Sequence, residues 1–260
     1  MDLASGRAVG ARGGWGGGSD SYYEYLLKMW VYAPRRCAGY RDAWLRAVDA
    51  TLARLVGRAG FVAEFDGGAL RAEEDHLACF MGGNLALGGT LLGRPDITAA
   101  GLRITAGCHD TYARAPAGLG PERWSWDAAA VPPRYAEFFA VNGWYPLATE
   151  YHLRPEVVES YYYAYRLTGD PMYREWAWEA FQAMNRCCRT PSGYSGINNV
   201  MLPTGGHMTD FQESFWFAEV LKYLWLIFSD DVGAGVVGVQ NGTQEWVFNT
   251  EAHPIRVSGY

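Results

Sequence analysis

The sequence lacks several features that would each have assigned it to a class. No run of about 18 uncharged apolar residues occurs, so no membrane-spanning helix is expected. There is no basic excess. Lys and Arg number 22 against 28 Asp and Glu, and a net charge of −6 argues against a broad nucleic-acid-binding face. No Cys-x-x-Cys pair is present, which argues against a zinc ribbon or a thioredoxin-like centre. Neither a His-Glu-x-x-His helix nor an EF-hand loop occurs. Residues 1–20 lack the apolar stretch of a secretory leader. The 260 residues are nevertheless 49% hydrophobic, enough to bury a sizeable core in one large domain or two small ones.

What is abundant is aromatic. Phe, Trp and Tyr make up 15% of the chain, with 11 Trp and 17 Tyr. Such rings fill cores more often than they line sugar sites, so composition alone favours the core. Five cysteines, Cys37, Cys79, Cys108, Cys187 and Cys188, are as compatible with one disulfide and three thiols as with none. Asn241-Gly242-Thr243 is a glycosylation sequon, meaningful only in a secretory compartment.

Periodicity predicts mostly helix. Residues 1–19 hold seven glycines and read as a flexible segment. Tyr22, Tyr25, Leu26, Met29 and Trp30 then mark one apolar helix face opened by Asp20. Further helices are predicted at Asp42–Leu55, His76–Leu87, Ile97–Tyr112, Glu156–Leu167, Met172–Cys187 and Asp210–Phe228. Pro155 sits at the start of one of them, where a missing N–H costs nothing. Phe61–Phe65 followed by Asp66-Gly67-Gly68 reads as a strand and turn, and Val247-Phe248 as a short strand. Helices joined by short links with little strand favour stacked helix hairpins, an all-α architecture, in one domain over 20–260.

Carboxylates recur among aromatic residues. Asp20 and Glu24 share a helix face beside Tyr22, Tyr23 and Tyr25. Glu156 and Glu159 precede Ser160-Tyr161-Tyr162-Tyr163, and Glu213 and Glu219 flank Phe215 and Trp216. Taken singly, each pair is a solvated face or a partner for a helix N-terminus. Together they suit a sugar cleft, where rings stack on pyranose faces and acids move protons. Burial among aromatics can keep one such carboxyl protonated near neutrality. His76 and His253 read as structural histidines. Thr250 and Glu251 offer the oxygens that a hard cation prefers.

Eight blocks in one order carry a resemblance. They are Asp20-Ser-Tyr-Tyr-Glu-Tyr-Leu-Leu-Lys28, His76-Leu-Ala-Cys-Phe80, Gly118-Leu-Gly-Pro-Glu122, Leu153-Arg-Pro-Glu-Val-Val-Glu-Ser160, Arg166-Leu-Thr-Gly-Asp170, Gly193-Tyr-Ser-Gly196, Glu213-Ser-Phe215 with Ala218-Glu219, and Phe248-Asn-Thr-Glu-Ala-His-Pro254. Over residues 20–254 the chain resembles glycoside hydrolase family 47, the class I α-1,2-mannosidases.

The resemblance implies an (α/α)7 barrel whose cleft holds one Ca2+. The implied reaction removes α-1,2-linked mannose from N-linked high-mannose glycans with inversion, in the ER or Golgi lumen of the secretory pathway. Motif matching places Asp20, Glu122 and Glu156 at catalytic carboxylates, with Glu156 activating water and Glu122 matching a carboxylate sometimes assigned as proton donor. Arg154 and Phe215 would hold and stack the terminal mannose. Glu159, Glu213, Glu219 and Glu251 would form the polar floor, and Thr250 would bind Ca2+ through its carbonyl and hydroxyl oxygens. Cys79 and Cys108 match the family's disulfide, leaving Cys37, Cys187 and Cys188 free.

The resemblance also starts partway through the family domain. Upstream helices, and a glutamate often assigned as general acid, have no counterpart, so an incomplete barrel is expected: the C-terminal part of the catalytic domain. Two other functions compete: a mannose-binding quality-control factor of the degradation-enhancing type, and an inactive remnant.

Overall fold

The computed structural model describes residues 12–57, 59–229 and 245–258; the sequon at Asn241 lies outside them. Eight α-helices are described: α1 (Asp20–Tyr32), α2 (Ala38–Arg54), α3 (Phe80–Leu91), α4 (Pro95–Arg114), α5 (Ala136–Asn142), α6 (Glu156–Thr168), α7 (Met172–Cys187) and α8 (Lys222–Phe228). The strands are short: β1 (Arg12–Gly13), β2 (Glu64–Asp66), β3 (Ala69–Arg71), β4 (Glu73–Asp75), β5 (Arg123–Ser125), β6 (Tyr145–Ala148), β7 (Trp246–Phe248) and β8 (Pro254–Arg256). They form three antiparallel sheets, β1-β2-β3, β4-β5-β6 and the hairpin β7-β8.

The helices lie in two layers. The inner series runs α1, α3, α6, α8, each packed on the next. The outer helices lie behind it: α2 against α1, α4 against α3 and α6, and α7 against α6 and α8. This is the hairpin stacking expected from the sequence. The inner helix α3 is buried along ten consecutive residues, Phe80–Gly89, because neighbours cover every face. Its approach to α4 is close enough that a Cβ on Gly101 would come within 2.5 Å of the Ala86 backbone nitrogen. A disulfide joins Cys79, just before α3, to Cys108 in α4, with a Cα–Cα distance of 6.0 Å. Cys37, Cys187 and Cys188 are free. Many of the aromatic residues are core: Trp15, Trp44, Trp124, Trp144 and Trp216 are all buried, as are Tyr161, Tyr162 and Tyr163.

Four expectations need correction. Of the segment 1–19 read as flexible, residues 1–11 lie outside the described residues and residues 12–19 are held in place. β1 pairs with β2, and Trp15 is 2% exposed, stacks on Tyr23 and donates to Thr51 Oγ1 at 2.9 Å. The glycines there serve close approach: a Cβ on Gly16 would lie 2.5 Å from the Asp75 carboxylate, which accepts from the Gly17 amide. The helix expected at Asp210–Phe228 begins only at Trp216, with a wider π-type turn over Trp216–Leu221. Residues 209–211 are instead tied to Gly196 by backbone hydrogen bonds, and Asp210 adopts a positive φ of 57°. His76–Cys79 is a 3-10 turn leading into α3, capped by Asp75 accepting from the Ala78 amide. The strand read at Phe61–Phe65 is confined to Glu64–Asp66, and Val62 makes only an isolated bridge to Val56.

Candidate active site

Residues from five separated stretches meet in one cleft of about 240 Å3, Leu77 and Phe80 at the entry to α3 forming an apolar part of its wall. Asp20 and Glu24 come from the start of α1, and Arg154, Glu156 and Glu159 from the entry and first turn of α6. Phe215 comes from just before the π-type turn and Glu219 from within it, and Thr250 and Glu251 from the β7–β8 turn. A π-type turn rotates the following side chains, and such turns are frequent at functional sites. Here it carries Glu219, 6% exposed, into the cleft. The entry to α6 is also unusual. Leu153, fully buried, adopts a positive φ of 56°, a conformation that costs a non-glycine residue roughly 1–2 kcal/mol. The kink precedes Arg154, and Pro155 then starts the helix.

Glu156 is the most constrained acid. Its Oε2 lies 2.8 Å from His76 Nδ1, and His76 Nε2 lies 2.8 Å from the Tyr112 hydroxyl. Burial pushes Glu156 up to about 8, with Arg154 opposing and Glu122 reinforcing the shift. His76, 1% exposed, is pushed down to about 4, first by burial. It is therefore a neutral imidazole near neutral pH. When Glu156 is ionised, His76 donates from Nδ1 and accepts the Tyr112 hydroxyl proton at Nε2.

Glu122 sits behind Arg154. Its Oε2 accepts from Arg154 Nε at 2.9 Å, and its Oε1 accepts from the His152 amide at 3.1 Å. Burial disfavours the Arg154 charge, but the bonds to Glu122 outweigh it and hold the guanidinium firmly protonated. The same guanidinium lies 5.7 Å from the centre of the Phe215 ring. Asp20 is raised, chiefly by burial. Glu159 is raised well above the ordinary range by burial, and Glu219 is raised to about 8 by burial and then by Glu156 and Glu24. One ammonium lies beneath these acids. Lys28 is ion-paired to Glu24 and lies 3.9 Å from Glu159, and it also donates to the Asn249 carbonyl. Although burial disfavours its charge, the two glutamates keep it protonated.

Asp20, Arg154, Glu156, Glu159, Phe215, Glu219, Thr250 and Glu251, each predicted from sequence, thus meet at one place, with Glu122 bonded to Arg154. Sequence reasoning missed His76, Tyr112 and Lys28. His76 lies 80 residues before Glu156, and no local pattern links the two. The oxygen donors Thr250, Glu24, Glu159, Glu219 and Glu251 surround the cleft without any thiol or imidazole among them, a donor set that fits a hard cation. A second cluster, Glu74 with the Cys79 and Cys108 sulfurs, has its ligand atoms within 4.8 Å of one another. Those sulfurs are bonded to each other and have no thiolate to offer a metal.

The sequence pattern of Glycosyl hydrolase family 47 matches residues 1–257. The chain belongs to this family. A mannosyl-oligosaccharide alpha-1,2-mannosidase of Coccidioides posadasii is 49% identical over 249 residues, covering 94% of this chain and 48% of that protein. A mannosyl-oligosaccharide alpha-1,2-mannosidase 1B of Aspergillus phoenicis is 45% identical, covering 99% of this chain and 51% of its own length. The solved alpha-1,2-mannosidase of Trichoderma reesei superposes with a TM-score of 0.92 at 38% identity, covering 96% of this chain and 54% of that one. The family 47 chain therefore has the (α/α)7 barrel fold over its matched part and spans about half the length of the relatives it matches. The match also extends upstream of residue 20, into the stretch anchored by Trp15.

Proposed function

We propose that the cleft binds the terminal α-1,2-linked mannose of N-linked high-mannose oligosaccharides and takes part in its hydrolysis with inversion. The observation that carries this reading is the convergence of Asp20, Arg154, Glu156, Phe215, Glu219 and Thr250 on one cavity of about 240 Å3, large enough for a hexose ring. Residues 20–260 correspond to the C-terminal part of the family's catalytic domain. The names of the relatives support the mannosyl-oligosaccharide substrate. The Cys79–Cys108 disulfide supports an oxidising compartment, the ER or Golgi lumen.

In this reading Glu156 is the base. Inversion requires water to attack the anomeric carbon directly, and a carboxylate must take its proton. His76 holds the carboxylate oxygen and Tyr112 fixes the imidazole, so the base is oriented from behind. Asp20, raised by burial, faces the same cavity and suits proton delivery to the leaving oxygen. Both oxygens of Glu122 accept from Arg154, so Glu122 positions that guanidinium instead of donating a proton. Arg154 and Phe215 present a hydrogen-bonding edge and a ring face to the sugar.

Thr250 and the surrounding glutamates would hold Ca2+, whose chemistry is to orient sugar hydroxyls and supply positive charge near the reacting carbon. Positive charge there favours the ionised form of Glu156, which burial alone leaves largely protonated at neutral pH.

The test is mannose release from α-1,2-linked mannobiose with and without chelator, read beside mannose binding. Binding without release, in protein that also contains the half matched only in its relatives, would overturn hydrolysis in favour of a mannose-binding role.

A further inference from the structure

The turn that carries Thr250 is framed by groups from two helices. Residues 249–252 join β7 to β8, and their backbone can be followed group by group. The Asn249 carbonyl accepts from the Ala252 amide at 3.1 Å and from Lys28 Nζ at 3.3 Å. The Asn249 side-chain oxygen accepts from the Glu251 and His253 amides at 3.0 and 2.8 Å. The Thr250 amide donates to the Tyr25 hydroxyl at 3.4 Å, and the Ala252 carbonyl accepts from Lys222 Nζ. Among the described residues no donor meets the Thr250 carbonyl, which leaves that oxygen for a cation.

Lys222 is the part of this frame that the proposed chemistry does not use. It opens α8, three residues after Glu219, whose charge acts on it. Its Nζ lies 5.1 Å from the centre of the Phe248 ring, on the near side of the turn, while it donates to Ala252 on the far side. One ammonium therefore grips both sides of the turn and ties it to the segment that carries Glu219. The turn needs such a grip. Ala252 is fully buried with a positive φ of 58°, a conformation that a residue with a side chain keeps only where its surroundings hold it.

We infer that Lys222 is a positioning residue for the cation site, fixing the Thr250 turn against the Glu219-bearing segment so that both line one cleft at a set spacing. The inference rests on the cation reading proposed above and adds to it a residue that does not itself line the cleft. Charge and position act oppositely here. An ammonium near Glu219 repels a cation, so on charge alone its loss would tighten binding. Loss of the grip would loosen the turn and weaken binding. Lys222 is only half-buried, and solvent screens its charge. Groups that orient metal ligands from behind are worth about 10- to 100-fold in affinity, so position wins.

The experiment measures Ca2+ binding to the full 260-residue chain by calorimetry at physiological salt. Lys222→Met keeps the aliphatic stem and removes the charge and the donor, and its Kd should rise about 10- to 100-fold. Lys222→Arg keeps a charged donor and should stay within a few-fold of the parent. In chelator, the circular dichroism of Lys222→Met should match the parent, while hydrogen exchange quickens at the Thr250 and Glu251 amides and not along α6. If the methionine variant does not fold, Lys222→Gln, which keeps a polar tip on a shorter stem, is held to the same weakening. A folded variant that binds Ca2+ as tightly as the parent, or more tightly, overturns the inference and leaves the cation reading standing. A parent that binds no Ca2+ overturns the cation reading, and the inference with it.

Discussion

His76 Nδ1 and Glu156 Oε2 stand 2.8 Å apart with both groups shielded from water, and burial drives their proton affinities in opposite directions. The imidazole resists protonation and the carboxyl resists ionisation, so the pair is a neutral hydrogen bond at neutral pH until positive charge enters the cleft. His76→Ala should lower kcat about 100-fold through loss of orientation of the base. Loss of a donor to the ionised carboxylate should also move the acid limb of the pH–rate profile upward. An unmoved limb would show that His76 only fills space.

Glu156→Gln keeps the size and the hydrogen bond but removes the carboxylate proposed as the base. Turnover of α-1,2-mannobiose should fall by about 10²- to 10⁴-fold, the usual worth of general base catalysis, while mannose binding by calorimetry stays within a few-fold. Equal loss of binding and turnover would assign the residue to substrate affinity instead.

Much of this site was legible in the sequence because its acids lie in contiguous motifs. Glu156 and Glu159 share one helical turn, and Thr250 and Glu251 are adjacent. What was not legible depends on distance along the chain. The pairing of His76 with Glu156, and the seat of Lys28 between Glu24 and Glu159, exist only after α1, α3 and α6 have packed. The glycine-rich start misled for a related reason. Glycine reports either freedom or close approach, and the contact of Gly16 with Asp75 shows the second. The late start of the last helix was hidden because Phe211 shares its apolar spacing, whereas the Phe211 carbonyl accepts from the Gly196 amide instead of from the helix. In contrast, α6 and α7 follow the predicted bounds within a residue, since strong periodicity, a starting Pro and a closing Gly169 agree there.

Cation removal should be read by stability as well as rate. If Thr250 contributes its hydroxyl, Thr250→Ala should weaken Ca2+ binding by calorimetry. It should also shrink the rise in melting temperature that added Ca2+ produces, which follows the ratio of free ion to Kd. An identical Ca2+-induced rise in both proteins would remove Thr250 from the ion site.

In chelator, the pH dependence of stability has a definite sign. Glu156 and Glu219 have folded values near 8 against an ordinary 4.5, so their contribution is complete below about 4.5 and is lost as pH rises toward 8. His76 acts oppositely: its value near 4 removes stability as pH falls from 6.5 to 4. His109, also pushed down to about 4 by burial, acts with His76. Glu74 and Glu159, raised well above the ordinary range by burial, act with Glu156 and Glu219. The carboxyls therefore outnumber the two imidazoles, and the melting temperature should decline from about pH 5 to pH 8. Added Ca2+ should flatten that decline. A melting temperature that climbs steadily to pH 8 without cation would contradict the buried, protonated carboxyls.

The disulfide should matter to stability rather than to chemistry. Closing a span of 29 residues is worth about 3 to 4 kcal/mol by loop entropy. Replacing Cys79 and Cys108 by Ser should cost about that much by urea unfolding, with KM unchanged.

Leu153 places a limit on redesign. Its side chain occupies a filled interior position, which demands a large hydrocarbon, while its backbone turns in the sense that only glycine adopts freely. No residue meets both demands, so libraries aimed at altering sugar preference should recover few viable changes there. Useful variation around Arg154 must enter through other positions.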